Sequence, residues 1–288
     1  MYTRKLTKEG DTIMPSTYSH YRFGKEVFNN LPKPTQDLIE QYRELYDIGL
    51  HGADICLYYE PMTFNAVKKN SFSIHKEYGD ELFKKNVARI SESIAPNAFK
   101  AYLIGFVCHF ALDSVCHPYV EKVISLGEVG HTELETDLDR YFMLKDSLDP
   151  MTHYPITHIN PSDFNSEVIK LFYDEISVKD IKACLEGMIE ATKFFHAKTE
   201  ERLNELYDIL RENNCFGPMS GLVMKPSPNP ICDKYYALFH KLYNRAVPLG
   251  ITLINEFVDY LENGAELSDA FHQTFGAGEN WQSLSLDI

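Results

Sequence analysis

The sequence lacks any paired-cysteine motif. Its six cysteines are scattered along 288 residues, and none has the Cys-x-x-Cys spacing of metal or redox sites. Disulfide frameworks belong to oxidising compartments and are dense in short secreted domains, so this pattern favours free thiols in a reducing compartment. We therefore expect a cytoplasmic protein.

Long apolar runs and an excess of basic residues are also missing. No stretch approaches the ~18 apolar residues of a membrane span, which predicts no transmembrane segment. Residues 1–21 lack the apolar core of a secretory signal. The 42 Asp+Glu against 28 Lys+Arg give a net charge of −14, which argues against non-specific binding of duplex nucleic acid. An enzyme stays possible, because a bound metal can supply local positive charge.

Runs that alternate polar and apolar residues, as strands do, are absent too. Apolar residues instead recur three and four apart, which predicts amphipathic helices. With 44% hydrophobic residues, the chain has ample material for a large core. We predict an all-α fold, a single-domain multi-helix bundle over residues 15–288, with residues 1–14 as a flexible leader or a wrongly assigned start.

Capping residues, prolines and the apolar period set the expected helix limits. The predicted helices are 35–50, 77–95, 97–115, 132–144, 162–173, 178–213 and 233–263. Residues 64–70 are predicted as a short helix or loop, and the Pro-rich segments 151–163 and 214–231 as loops. The segment 97–115 is apolar nearly all round, which is typical of a buried central helix.

Histidines and carboxylates occur at helical spacing in and after this apolar segment. His109, Asp113 and His117 are four residues apart in turn, and His131 and Glu135 repeat the step. Residues four apart lie on one face of a helix. One such pair is ordinarily a hydrogen-bonded core feature, but charged groups in an apolar helix are costly without partners. Five donors together predict a transition-metal site.

Four further candidates lie upstream, and each taken alone is more typical of an ordinary residue. They are His20, His51, Asp54 and His75. His153 and His158 are interpreted as surface-loop residues. Asp137 and Asp139 are more typical of a solvated helix face, with a supporting contact to a metal-bound histidine as the alternative.

Taken in chain order, these residues resemble the zinc-dependent phospholipase C family. The order is His, then Gly-Ala-Asp, Ser-x-His, His-x3-Asp-x3-His and His-x3-Glu, and single-strand nucleases of the same fold share it. The segment HFALDSVCHP resembles the family's central signature, in which one helix presents His, Asp and a second His.

The resemblance implies two to three zinc ions on an all-α bundle. The implied ligands are Asp54, His75, His109 and Asp113 for one zinc, His117, His131 and Glu135 for a second, and His20 with the shared Asp113 and a free chain terminus for a third. The family's terminus lies close before its first histidine. We hypothesise that translation starts at Met14 and that its removal exposes the amine of Pro15.

The implied reaction is hydrolysis of a phosphodiester, in which a zinc-bound hydroxide attacks phosphorus and Asp54 is the general base. Phe72 matches one aromatic of the family's head-group pocket, and Ile55 stands where the other is expected. Tyr58 and Phe64 are near in sequence and are candidate substitutes. The implied partner is a phosphoester substrate, including a phospholipid head group without choline specificity, and no protein partner is implied.

Two other functions fit the same residues. One is a single-strand nuclease or nucleotidase on the same fold, which needs aromatic platforms for base stacking. The other is a non-catalytic metal-binding helical protein, although structural zinc sites have four protein ligands and the implied second site has three. A di-iron bundle is disfavoured because neither pair has Glu-x-x-His spacing.

Overall fold

The computed structural model describes residues 16–61, 63 and 65–287. The predicted leader and the predicted pocket residue Phe64 lie outside this part of the chain. The described residues form 13 α-helices and no β-strand beyond two isolated bridges, which confirms the predicted all-α class.

The helices follow one another with short connections. The α-helices are α1 Thr17–Phe28, α2 Lys33–Gln41, α3 Arg43–Gly49, α4 Ala66–Ile74, α5 Gly79–Val87, α6 Pro96–Ile124, α7 His131–Lys145, α8 Asp163–Lys170, α9 Val178–Phe194, α10 Glu200–Glu212, α11 Phe216–Met219, α12 Pro230–Asp233 and α13 Tyr236–Asn263. The 3-10 helices are Gly52–Tyr58, Ile90–Glu92, Ser220–Leu222, Asp269–Phe271 and Trp281–Ser283.

Helix α6 is the axis of the bundle. Every residue from position 101 to position 113 is buried, and α1, α3 and α13 pack around it. The helix continues nine residues past its predicted end, through Pro118. Val120 and Val123 there bury against apolar residues of α7 and α13, which stabilises the extra turns.

Two glycines let α3 lie directly against α6. A Cβ on Gly49 would be 2.3 Å from the Tyr102 carbonyl oxygen, and one on Gly105 would be 2.2 Å from that of Tyr46. Any larger residue at either position would push the two backbones apart. The close approach brings the segment after α3 against the inner face of α6.

Two predicted helices are each broken in two. Segment 35–50 divides at Tyr42, which has a non-helical φ of −126°. Segment 178–213 divides because the backbone at Phe195 and Ala197 pairs with Met224, through N–H to carbonyl distances of 2.9 and 3.1 Å. This tertiary pairing interrupts an apolar period that continues along the sequence.

Helix α6 is more apolar over its length than we expected of any segment of this sequence. By length and composition it is apolar enough to cross a membrane. However, 78% of its most apolar window is buried inside the protein, as is usual for the central helix of a bundle. Length and composition alone are weak evidence for a span.

The segment after α13 returns over the bundle. Phe271 and Phe275 are both fully buried against the aromatic side chains of α5 and α6. Tyr78 forms an isolated antiparallel bridge with Thr274. The weakly patterned tail of the sequence is therefore part of the core near the ligand residues.

Candidate metal centre

The eight predicted ligand residues converge in space, and Asp113 lies at their middle. Its Oδ1 is 3.2 Å from His20 Nε2 and 3.8 Å from His117 Nε2. Its Oδ2 is 3.0 Å from His109 Nε2 and 3.7 Å from His75 Nε2. One carboxylate thus faces four imidazoles, as a ligand shared between metal ions would. We call these eight residues the metal centre.

Three groups within the metal centre have ligand atoms that all lie within 4.8 Å of one another. The groups are His20, His109 and Asp113; Asp54, His75 and His109; and His117, His131 and Glu135. In the second group His75 Nε2 is 3.3 Å from Asp54 Oδ1. In the third, Glu135 Oε1 is 3.5 Å from His117 Nε2 and 3.1 Å from His131 Nε2.

Asp54 reaches the centre through a sharp turn that only glycine fits. Gly52 begins the 3-10 helix with a φ of +49°, in the left-handed region. A Cβ at Gly52 would lie 2.1 Å from Cδ2 of His109. The turn therefore packs directly on one ligand while it presents another.

His20 is fixed from the opposite side by a buried carboxylate. Asp139 accepts hydrogen bonds from the backbone N–H groups of Tyr18 and Ser19, both at 2.8 Å, and from the Ser19 hydroxyl at 2.6 Å. These donors belong to the first turn of α1, which has no partners for them within the helix. Asp139 is 2% exposed, so the interpretation as a solvated helix face is wrong.

Several facing atoms of the centre have no hydrogen-bond partner in the described structure although they are buried. They are Asp54 Oδ1, His75 Nε2, His109 Nε2, Asp113 Oδ2, His131 Nε2 and Glu135 Oε2. Buried polar atoms are nearly always paired, because leaving one unpaired costs about 1–3 kcal/mol. Converging imidazole nitrogens and carboxylate oxygens are the donors that zinc takes. The residues therefore fit bound zinc, which would satisfy these atoms together.

Attraction between the histidines and the carboxylates also stabilises the metal centre when no metal is bound. Burial alone would lower the pKa of His131, but the charges of Glu135 and Glu121 raise it to about 10. Burial likewise opposes protonation of His75, while the neighbouring carboxylates of Asp54 and Asp113 raise its pKa to about 9. Burial would raise the pKa of Glu135, and the two adjacent histidines lower it to about 2.

The metal centre opens onto a cleft of about 870 Å³. Its floor includes the ligands His75, His117 and His131. Phe72 and Lys76 of the α4 region form one wall, and residues 272–274 and 276–280 form the other. Two ligands of the third group thus face an open space in which a substrate can reach them.

The three predicted pocket aromatics are placed differently from one another. Phe72 lines the cleft. Tyr58 lines a separate cavity of about 50 Å³ with Thr17 and Asp139, and its hydroxyl is 3.4 Å from Thr17 Oγ1. Phe64 lies outside the described residues.

Two supporting contacts were not predicted from the sequence. His117 Nδ1 donates to the carbonyl oxygen of Phe275. Glu121 Oε1 lies 3.6 Å from His131 Nδ1, one turn beyond His117 on α6. Glu121 could have been predicted, because it lies four residues after His117 on the same helix face. The contact with Phe275 joins segments that are distant in sequence, so no spacing predicts it.

His51 and His158 form a pair next to the centre. Their Nε2 atoms are 2.7 Å apart, and the His158 ring stacks on Tyr21 with centroids 3.8 Å apart. Burial and the neighbouring imidazoles hold the pKa of His51 well below its ordinary value. His51 is therefore a buried neutral partner, and His158 lies in a loop, as predicted, but is half-buried against His51 and Tyr21.

Fold and site together define an all-α protein built around a cluster of histidines and carboxylates that could hold metal ions. The family model for zinc-dependent phospholipase C matches residues 19–205, more than half of the chain and all eight residues of the metal centre. The chain belongs to the zinc-dependent phospholipase C family. No curated protein and no solved structure matches it.

Proposed function

We propose that the protein is a zinc-dependent phosphoester hydrolase of the phospholipase C type that binds two to three zinc ions. The observation that carries the proposal is the convergence of buried, unpartnered ligand atoms beside an open cleft. Bound zinc would polarise phosphoryl oxygens and lower the pKa of a coordinated water to about 7.

The distances support a division of the ligands into three sites. Asp54, His75, His109 and Asp113 would hold the first ion; His117, His131 and Glu135 the second; and His20 with Asp113 the third, with His109 also close to that pair. The second site has three protein ligands, and two of them line the cleft, so a coordination position is free for water or substrate. Ser16, the residue before α1, lines one small cavity with His20 and Asp113 of the third site.

Asp54 is the proposed general base. The residue is buried, and its Oδ1 lies 3.3 Å from His75 Nε2, which places the carboxylate among the other ligands of the first site. The Gly52 turn fixes the carboxylate beside His75. A positioned base of this kind contributes typically 10²–10⁴-fold to a reaction rate.

The cleft is the proposed substrate site. Its volume of about 870 Å³ lies in the range usual for small-molecule pockets, so a phosphoester or the head group of a phospholipid fits it. Phe72 gives the cleft an apolar surface. A role of Tyr58 and Phe64 in binding the head group stays a prediction. The six cysteines are free thiols, which supports our placing the enzyme in the cytoplasm.

One observation favours a second candidate function, a single-strand nuclease or nucleotidase. At the mouth of the cleft the Tyr78 ring stacks on His272, with centroids 4.2 Å apart and planes at 3°. Tyr78 is 40% exposed, so its ring system could stack with a nucleobase.

The first test is zinc content by mass spectrometry for wild-type protein, His117→Ala and the control His240→Ala. His240 contacts Tyr141 away from the metal centre. We expect two to three zinc ions per chain, one fewer in His117→Ala and no change in His240→Ala. Wild-type protein that takes up no stoichiometric zinc would overturn the proposal.

The second test is hydrolysis by the zinc-loaded protein. Bis-p-nitrophenyl phosphate reports phosphodiesterase activity of either candidate, so short-chain phospholipids and single-stranded oligonucleotides are then compared directly. Faster hydrolysis of the lipid supports the phospholipase C proposal. A preference for oligonucleotides that Tyr78→Ala abolishes supports the nuclease instead.

A further inference from the structure

The segment Phe271–Gly276 lies outside residues 19–205, so the family match does not cover it. It nevertheless contacts ligands of two different groups of the metal centre. We propose that this segment is a positioning element that fixes the ring of His117 and the backbone of His75 for zinc binding. The proposal rests on the zinc centre proposed above.

The contact to His117 decides which ring nitrogen faces the centre. A carbonyl oxygen can only accept a hydrogen bond, so the bond to Phe275 requires a hydrogen on His117 Nδ1. In a neutral imidazole the lone pair then belongs to Nε2, the atom that faces Glu135 and Asp113. Outer hydrogen bonds of this kind commonly fix the tautomer and orientation of a metal-bound histidine.

The contact to His75 is made by backbone. The Gly276 N–H donates to the His75 carbonyl oxygen at 3.1 Å, directly after the residue that bonds His117. A second bond, 2.9 Å from the Gly79 N–H to the Gln273 carbonyl, holds the segment to the start of α5. One short stretch of chain thus connects His75 of the first zinc site with His117 of the second.

Burial makes these contacts rigid. The Phe275 ring is fully buried, and its centroid lies 6.0 Å from that of His75, 5.9 Å from His109 and 5.0 Å from Phe110. Phe271 stacks on Phe110 with the planes at 7°. The ring is an apolar support behind two ligand rings, so the carbonyl cannot leave His117 without opening the core.

Position 276 offers a matched pair of variants. Gly276→Pro removes the N–H that bonds to His75. Gly276→Ala keeps it, and the added Cβ would meet only the His75 carbonyl oxygen, at 3.4 Å. A second pair is Phe275→Ala against Phe257→Ala, since both rings are fully buried and contact Phe83, but the Phe275 ring also contacts His75 and His109.

Zinc affinity by competition with a chromogenic chelator is the first measurement. We expect about 10- to 100-fold weaker binding of at least one ion in Gly276→Pro and Phe275→Ala, the range typical for loss of an outer partner. Gly276→Ala and Phe257→Ala should bind as the wild type does. Equal affinity in all four variants would overturn the proposal.

Nuclear magnetic resonance of the zinc-free protein gives a second readout, in which Phe257→Ala controls for loss of stability and should keep the slow exchange of the wild type. In the wild type the Nδ1 hydrogen of His117 should exchange slowly with solvent, and in Gly276→Pro and Phe275→Ala it should exchange fast while circular dichroism shows the helices intact. A slowly exchanging hydrogen in both variants would refute the positioning role. This readout needs no zinc, so failure of the wild type to bind zinc is a separate result.

Discussion

Asp113 Oδ1 lies 3.2 Å from His20 Nε2, and this contact joins the central helix of the bundle to its first helix. The other oxygen of the same carboxylate faces His109 at 3.0 Å. The same two oxygens also face His117 and His75, which belong to the other two groups. The loss of Asp113 should therefore disturb more of the metal centre than the loss of any other ligand.

Asp113→Asn should therefore release more than one zinc or weaken all of them. The amide keeps the shape of the side chain but not its charge. Loss of an outer partner costs about 10- to 100-fold, so hydrolysis should fall by more than about 100-fold. Zinc content and rate are measured together, with Asp137→Asn as the control, since Asp137 is buried and bonds Tyr236 instead. Wild-type zinc content in Asp113→Asn would contradict the shared-ligand role.

Gly52→Ala should be strongly destabilising. An L-residue in the left-handed conformation costs roughly 1–2 kcal/mol, and overpacking against His109 about 1–3 kcal/mol more. The free energy of unfolding in urea should fall by about 2–5 kcal/mol. Gly127→Ala is the matched control: its φ is +76° but nothing lies within 4 Å of its Cβ, so only the conformational cost applies. Equal losses in the two variants would rule out the contact with His109.

Helical periodicity predicts one part of the metal centre directly. His109, Asp113 and His117 lie on one face of α6 because their spacing matches the helical turn. No spacing rule predicts the positions of Asp54 and His75. The turn after α3, which carries Asp54, is placed by the close approach of Gly49 and Gly105. Only the order of motifs along the chain indicated that these residues belong together.

Two features were not predicted from the sequence. Asp139 lies on α7 four residues after Glu135, on the same helix face as that ligand, so its spacing was a usable signal. It is buried because the first turn of α1, far away in sequence, brings it three hydrogen-bond donors. Phe275 is in a tail without helical period, and its burial depends on aromatic side chains from two separate helices, Phe83 of α5 and Phe110 of α6.

The stability of the zinc-free protein should fall as the pH rises from about 6.5 to about 10. The pKa of His75 is about 9 and that of His131 about 10, above the ordinary 6.5 of an unfolded histidine. A raised histidine pKa stabilises the folded state fully below pH 6.5, and the effect is lost as the pH passes the folded value. The melting temperature measured with a chelator present should follow this course.

The stabilisation by added zinc should depend on pH in the opposite direction. Imidazoles must be unprotonated to bind metal, so protons compete with zinc for the same nitrogens. The rise in melting temperature on adding zinc should grow between pH 6.5 and pH 9, and be smallest where the zinc-free protein is most stable. A rise independent of pH would mean that these histidines are not the ligands. His196→Gln is a suitable control, because His196 bonds the Pro150 carbonyl away from the centre.

Asp54→Asn separates an enzyme from a protein that binds zinc for stability alone. The amide oxygen can still face the metal and three other ligands of the first site remain, so zinc content and melting temperature should stay near wild type. An amide cannot accept the proton, so hydrolysis should fall by about 10²–10⁴-fold. Wild-type hydrolysis in Asp54→Asn would exclude Asp54 as the base. A wild-type protein that binds zinc but hydrolyses no phosphoester, lipid or nucleotide, would favour the stabilising role of the metal.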